Sequence, residues 1–240
     1  MTRVLDGRAV LVTGAGGGLG AAAVAAAAVA GARLVLVDRH EERLAQLAAQ
    51  HGDAIAATHA LDLTDPAALQ QLVESVSLRP TVDCVWHLVG GWRGGEPLDQ
   101  APLDDWAALY EPLVATTVAL TRAFAAPLSR RPDGRFLIVS SPQAAAPTTT
   151  NAAYATAKAG AEAAVLALAH HFHHVGSSAT ANVVVVPAIV TAAMRDQRPD
   201  RPWRVHVRAE DLAATLVFAS SQAAAKMNGQ HLSLFDGSPS

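Results

Sequence analysis

Cysteine is nearly missing from this 240-residue chain. Cys84 stands alone, which excludes an internal disulfide and a cysteine-rich metal site. It falls in the apolar run 82–89 and reads as a small buried core residue. Charge of one sign is scarce too. A formal net charge of −3, without acidic tails or charge blocks, excludes the basic surface that nucleic-acid binding needs. Long hydrophobic runs are also lacking. The most conspicuous, 21–30, is mostly alanine and is half the roughly 20 residues of a membrane span. Nor does a linker or a break in composition divide the chain, so 1–240 reads as one domain with a substantial core. Arg3, Asp6 and Arg8 precede Ala9-Val10-Leu11-Val12 and Thr13-Gly14, a strand entering a turn rather than a signal peptide. A cytoplasmic location, with neither a membrane nor a nucleic-acid partner, is the expectation.

What is present is a regular alternation. Short apolar runs at 9–12, 33–37, 54–60, 82–88, 135–140, 181–186 and 231–235 read as strands. Between them, 18–30, 41–50, 65–77, 103–129, 152–174 and 209–220 are long enough for helices. Thr64-Asp65-Pro66 sets a capping side chain before a first-turn proline, and Asp104 opens another helix. Each parallel crossover needs an intervening helix, so the pattern predicts a doubly wound α/β fold. Its sheet would be seven-stranded and mostly parallel, with helices on both faces. Val183-Val184-Val185-Val186 is apolar on both faces, as a central parallel strand should be.

The first strand runs into Thr13-Gly14-Ala15-Gly16-Gly17-Gly18-Leu19-Gly20. Glycines there permit a tight turn and the approach of backbone to a pyrophosphate, which would sit on the amides opening the first helix. Asp38 ends the second strand, 18 residues after Gly20, where a carboxylate can meet the hydroxyls of an adenosine ribose. A carboxylate repels the additional phosphate of NADP, so NAD(H) is favoured over NADP(H). Arg39 beside it could accommodate that phosphate.

Tyr154-Ala155-Thr156-Ala157-Lys158 puts a phenol and an ammonium on one helix face. A nearby cation favours the phenolate and would bring a phenol, with its ordinary pKa of about 10, toward usable acid–base chemistry. Ser141, 13 residues before Tyr154, follows a strand whose C-terminal edge is where such sheets bind ligands.

Together these residues resemble the short-chain dehydrogenase/reductase family across nearly the whole chain. The resemblance implies a Rossmann fold and a nicotinamide-dependent oxidoreductase. Ser141, Tyr154 and Lys158 match the catalytic residues: the tyrosine moves the proton, the serine positions the carbonyl, and the lysine lowers the tyrosine pKa and holds the nicotinamide ribose. Gly14, Gly17, Gly18, Leu19, Gly20, Asp38, Arg39, Asp62, Leu63, Val89, Gly90, Tyr154, Lys158, Pro187 and Thr191 take the cofactor positions. Asn228-Gly229-Gln230 with Asp236-Gly237 resembles the final strand region.

Three departures stand out. His87-Leu88-Val89-Gly90-Gly91 replaces the usual Asn-Ala-Gly, Leu113 occupies the position of a catalytic asparagine, and Pro187-Ala188-Ile189-Val190-Thr191 leaves Thr191 as the nearest carboxamide-binding threonine. The loop Val89-Gly90-Gly91-Trp92-Arg93-Gly94-Gly95 resembles that of dihydropteridine reductases, which reduce a quinoid pterin. Ser141 fits a carbonyl reductase at least as well. Trp92 either stacks on a flat substrate or covers the core.

The segment 191–208 is a short substrate lid in this resemblance, and Trp203 is its candidate substrate contact. His170, His173 and His174 have helical spacing but no neighbouring carboxylate or cysteine, so no metal is expected. The resemblance also implies a homo-oligomer, dimer or tetramer, paired through 113–128 and 154–170. The alternative to a reductase of carbonyl or quinoid-pterin compounds is a dinucleotide-binding sensor or partner that has lost catalysis.

Overall fold

The computed structural model describes residues 3–78 and 81–235. Its strands and helices alternate in chain order. They are β1 (Ala9–Thr13), α1 (Gly18–Val29), β2 (Arg33–Asp38), α2 (Glu41–His51), β3 (Ile55–Ala60), α3 (Pro66–Leu78), β4 (Cys84–His87), α4 (Leu103–Leu109) and α5 (Thr116–Ser129). Then follow β5 (Arg135–Ser140), α6 (Ala152–His174), β6 (Thr180–Val185), β7 (Ile189–Val190), α7 (Ala192–Gln197), β8 (Val207–Arg208), α8 (Ala209–Ala219) and β9 (His231–Ser233).

Seven strands form one sheet in the order β3-β2-β1-β4-β5-β6-β9. Every pairing within it among the described residues is parallel, so the expected fold holds. Side-chain alternation along each strand explains the two helical layers. Leu11, Val35, Val85, Phe136, Ile138 and Val183 face Leu72, Phe124, Val165 and Phe172 of α3, α5 and α6. Val10, Leu34, Leu36, Trp86, Leu137 and Val184 face Ala23, Ala27, Leu44 and Leu212 of α1, α2 and α8. The alanines of α1 let that helix lie close to both the sheet and α8. Cys84 is fully buried, and burial pushes its thiol up to about 11.

Two local differences from the sequence reading have clear causes. The helix expected over 103–129 is interrupted by a turn of π-helix at Tyr110–Ala115. Pro112 lies within it. A proline has no N–H for the carbonyl four residues back and its ring clashes with that turn, so the backbone takes up an extra residue. The second is a pair of two-residue strands, β7 and β8, which join in parallel and frame the segment read as a lid. Asp65 caps α3 as expected, accepting from the Ala67 N–H at 2.9 Å. Asp236 and Gly237 lie outside the described residues.

The strand order reverses direction between β1 and β4, and the crevice beyond their C-terminal ends is where such sheets bind ligands. Two glycines shape that crevice. Gly14 has φ +72°, and a Cβ there would sit 3.0 Å from the backbone of Leu88. A Cβ on Gly20 would lie 2.2 Å from the Ala15 carbonyl oxygen. Replacing Gly20 by Ala should therefore push α1 off the turn and destabilise the fold by about 3 kcal/mol. Urea denaturation measures this, and an unchanged midpoint would show that the turn does not depend on the close approach.

Candidate active site

One cavity of about 1110 Å³ opens along the C-terminal edge of the sheet. Its first wall is the glycine turn. Gly17 precedes α1 without any side-chain cap, so the first amides of the helix have no side-chain acceptor and present a positive end to an anion. Gly14, Gly17, Gly18, Leu19 and Gly20 all line this wall.

Asp38 lines it as well, with both carboxylate oxygens held. Oδ2 accepts from the Gly16 N–H at 2.9 Å, and Oδ1 accepts from the His40 N–H at 3.0 Å and pairs with His40 Nδ1 at 2.8 Å. Burial alone would push this carboxyl up, but the hydrogen bonds from His40 and Gly16 win and hold it below its ordinary value. Arg43 reaches across to the Gly16 carbonyl at 3.1 Å. Arg39, Asp62 and Leu63 complete this end. Asp62 is held low by the Thr64 backbone and hydroxyl, with a smaller contribution from the Arg39 charge. Sequence reasoning missed His40, Arg43 and Thr64, whose roles depend on contacts that no spacing announces.

At the other end are Leu88, Val89, Gly90, Trp92, Pro112, Thr116, Ser140, Tyr154, Lys158, Pro187 and Ile189. Trp92 is 60% exposed and lines the cavity, so it does not cover the core. Its loop is tied down where Gly95 donates to the Thr150 carbonyl at 2.8 Å, just before the α6 turn that carries Tyr154. Leu113 turns away into a buried cluster with Leu109, Ala153 and Ala157.

Tyr154 and Lys158 lie one turn apart on α6, with Nζ 5.7 Å from the phenol ring centroid. The ammonium donates to the Val139 carbonyl at 2.8 Å. Burial holds Lys158 down at about 8, offset in part by the Glu162 charge. The tyrosine behaves differently from the sequence expectation. Its burial pushes the phenol above its ordinary value, and the group that favours its phenolate is Ser141, by a side-chain hydrogen bond. Ser141 itself is buried, does not line the cavity wall, and accepts from the Gln143 N–H at 3.4 Å. Its neighbour Ser140 does line the wall.

Two expected contacts are not brought to this cavity. Thr191 caps α7, accepting from the Met194 N–H at 3.2 Å, and its methyl lies against Gly18 rather than on the cavity wall. Trp203 stacks under Arg201 at 4.5 Å and meets His206 edge-on. Aromatic and cationic neighbours within its own segment hold it there. His170 and His174 stack on each other along α6, with ring centroids 6.4 Å apart.

The residues fit a dinucleotide. Glycines that let the turn close against Leu88 and Ala15, uncapped helix amides and a fixed carboxylate occur in the order such a ligand needs. Comparison with known proteins agrees. The short chain dehydrogenase family model matches residues 8–202. This chain belongs to that family. It is an NAD(P)-dependent oxidoreductase of alcohol and carbonyl groups. Uncharacterized oxidoreductase YvaG from Bacillus subtilis is 26% identical over 255 residues, covering 95% of this chain and 94% of that one. D-threitol dehydrogenase from Mycolicibacterium smegmatis is 27% identical over 246 residues, covering 97% and 93%. The crystal structure of a short chain dehydrogenase from Salmonella enterica serovar Typhi shares the fold with a TM-score of 0.86 at 22% identity, covering 97% and 98%. Among the described residues, no helix is long and apolar enough to cross a membrane.

The buried ammonium has a stability signature. Lys158 titrates at about 8 in the folded chain against an ordinary 10.5. Between those values the unfolded chain binds a proton that the folded chain does not, so stability rises with pH across that window. Below about 8 both states are charged and the whole cost of burial is present. Lys158→Met should therefore raise the unfolding free energy at pH 7 by roughly 1–3 kcal/mol and flatten its rise above pH 8. A variant less stable than the parent at pH 7 would contradict the buried-charge reading.

Proposed function

We propose that this protein transfers a hydride between NAD(H) and the alcohol or carbonyl carbon of a small molecule, with Tyr154 as proton donor and acceptor. The observation that carries the reading is the single cavity lined by both the glycine turn and the Tyr154–Lys158 face of α6. The bound nicotinamide supplies the hydride. The remaining work falls to the chain. Ser141, hydrogen-bonded to the phenol from behind the cavity wall, favours phenolate and orients the Tyr154 hydroxyl toward the substrate oxygen. Lys158, fixed on the Val139 carbonyl, holds a positive charge near the tyrosine and a donor toward a ribose. Cofactor contacts come from Gly14, Gly17, Gly18, Leu19, Gly20, Asp38, Arg39, Asp62, Leu63, Val89, Gly90 and Pro187 on the cavity wall, with Thr191 beside Gly18.

The preference for NAD(H) rests on Asp38. Its carboxylate is fixed by Gly16 and His40, so it cannot swing away from a second phosphate. Arg39, the residue that could receive that phosphate, lies where its charge favours Asp62. For the substrate, the D-threitol relative supports a small hydroxylated compound. The exposed Trp92 of the glycine-rich loop supports a flat one such as a quinoid dihydropterin. The segment 191–208 acts as a lid over either. A homo-oligomer paired through the α5–α6 face is part of the same reading, since Val118 of α5 is exposed.

Turnover with D-threitol, a hydroxysteroid, a 3-hydroxy acid and quinoid dihydropterin, each with NAD(H) and NADP(H), tests the reading. Tyr154→Phe should lower turnover by about 100-fold or more while leaving NADH affinity within a few-fold. Full activity in that variant contradicts the assigned acid. Tight NADH binding with no turnover across the panel makes the chain a sensor or partner protein instead. Asp38→Asn should raise NADPH affinity by roughly tenfold or more in a fluorescence titration, because it removes a like charge from the phosphate. An unchanged ratio of NADH to NADPH affinity would remove Asp38 from cofactor selection.

A further inference from the structure

Beneath the reacting end of the cavity lies a buried polar chain that the proposed chemistry has not used. Thr13 at the end of β1 and His87 at the end of β4 are register partners. Thr13 Oγ1 and His87 Nδ1 are 2.7 Å apart, and His87 Nε2 lies 3.1 Å from Thr116 Oγ1. The Thr116 hydroxyl donates its one hydrogen to the Pro112 carbonyl at 2.7 Å, within the π-turn. It can then only accept from His87, so Nε2 carries the imidazole proton and Nδ1 accepts from Thr13. Burial and the Lys158 charge push His87 down to about 3, so the ring stays neutral. All three side chains are buried.

This orientation leaves Thr116 with an unused acceptor lone pair on the cavity wall. Ser140 lines the same wall, is 2% exposed, and its hydroxyl has no partner among the described residues. Lys158 joins them there with three N–H groups, of which Val139 accepts one. Leu113 offers no polar atom. We propose that Thr116 and Ser140 are positioning residues for Lys158: their hydroxyls accept from one shared water that takes one of the ammonium's two remaining N–H groups, the other staying free for a ribose, with the Thr13–His87 pair turning Thr116 toward it. A water needs two to four polar partners, and this wall supplies three. Of the titratable groups around the ammonium, Tyr154 and Glu162 share its helix and His87 faces it from β4.

The inference rests on the catalytic reading of Lys158 but is tested apart from it. Removing an acceptor from the charged form lowers the pKa of an ammonium. The experiment is an NMR titration of isotopically labelled lysine in the full chain, with Lys158 assigned by Lys158→Met. In both Thr116→Val and Ser140→Ala the Lys158 midpoint should fall by roughly one pH unit, and Thr116→Ser should recover most of the shift. The alkaline limit of turnover should fall with it. A merely structural role would lower turnover equally at every pH and leave the midpoint in place. Should Thr116→Val fail to fold by circular dichroism, Ser140→Ala decides alone. An unmoved midpoint in the folded variants overturns the proposal, whatever Tyr154→Phe does to activity.

Discussion

A lysine ammonium buried against a strand carbonyl is the constraint around which the working end of this molecule is arranged. Water solvates such a group far better than a protein interior, and the folded chain answers with the Val139 carbonyl and the charge of Glu162, one turn along α6. The Val139 carbonyl is available because β5 runs on past β4, whose ladder with it ends at His87 and Ile138. Tyr154 lies on the same helix face one turn earlier, so whatever fixes Lys158 also fixes the phenol. The parallel sheet makes this arrangement accessible, since all its strands deliver their C-terminal ends to one edge.

At the other end of the cavity, charge is handled differently. Asp38 remains partly exposed and is kept ionised by hydrogen bonds from Gly16 and His40. The glycine turn joins the two ends mechanically. Gly14 passes close to Leu88, the residue that follows β4, so a ligand lying on the turn is already in contact with the segment that leads to Trp92. A fixed anion, an uncapped helix N-terminus and a buried cation then lie along one crevice. That sequence of charges matches a dinucleotide read from its adenosine to its nicotinamide.

Much of this was legible in the residues themselves. The glycine turn, Asp38 and the Tyr154–Lys158 pair announce themselves because their chemistry demands particular residue types at fixed spacings. The strands were legible because burial on both faces leaves a continuous apolar run, as in β6. The strand ends were less so: β4 stops at His87 because Leu88 makes the last bond to β1, at the Thr13 carbonyl, where β1 itself enters the glycine turn. The direction of the Tyr154 shift was misread, since spacing reveals the neighbouring cation but not the burial that outweighs it. Thr116, Ser140 and the tautomer of His87 were invisible, because they depend on how α5 meets β1 and β4. One signal was there to be used: Pro112 inside a helical pattern marks a break in the ladder, and the π-turn is that break. Trp203 and Thr191 were placed by analogy of position; Thr191 lies beside Gly18 as the cap of α7, and Trp203 packs against Arg201 and His206.

The central claim is that one crevice holds a dinucleotide at one end and the proton donor at the other. A crystal structure of the chain with NADH tests it most directly. The account predicts the pyrophosphate over Gly17, Gly18 and Leu19, a ribose on Asp38, and the nicotinamide ring beside Tyr154 and Lys158. A cofactor bound with its nicotinamide away from Tyr154, or with its adenosine off Asp38, would contradict it.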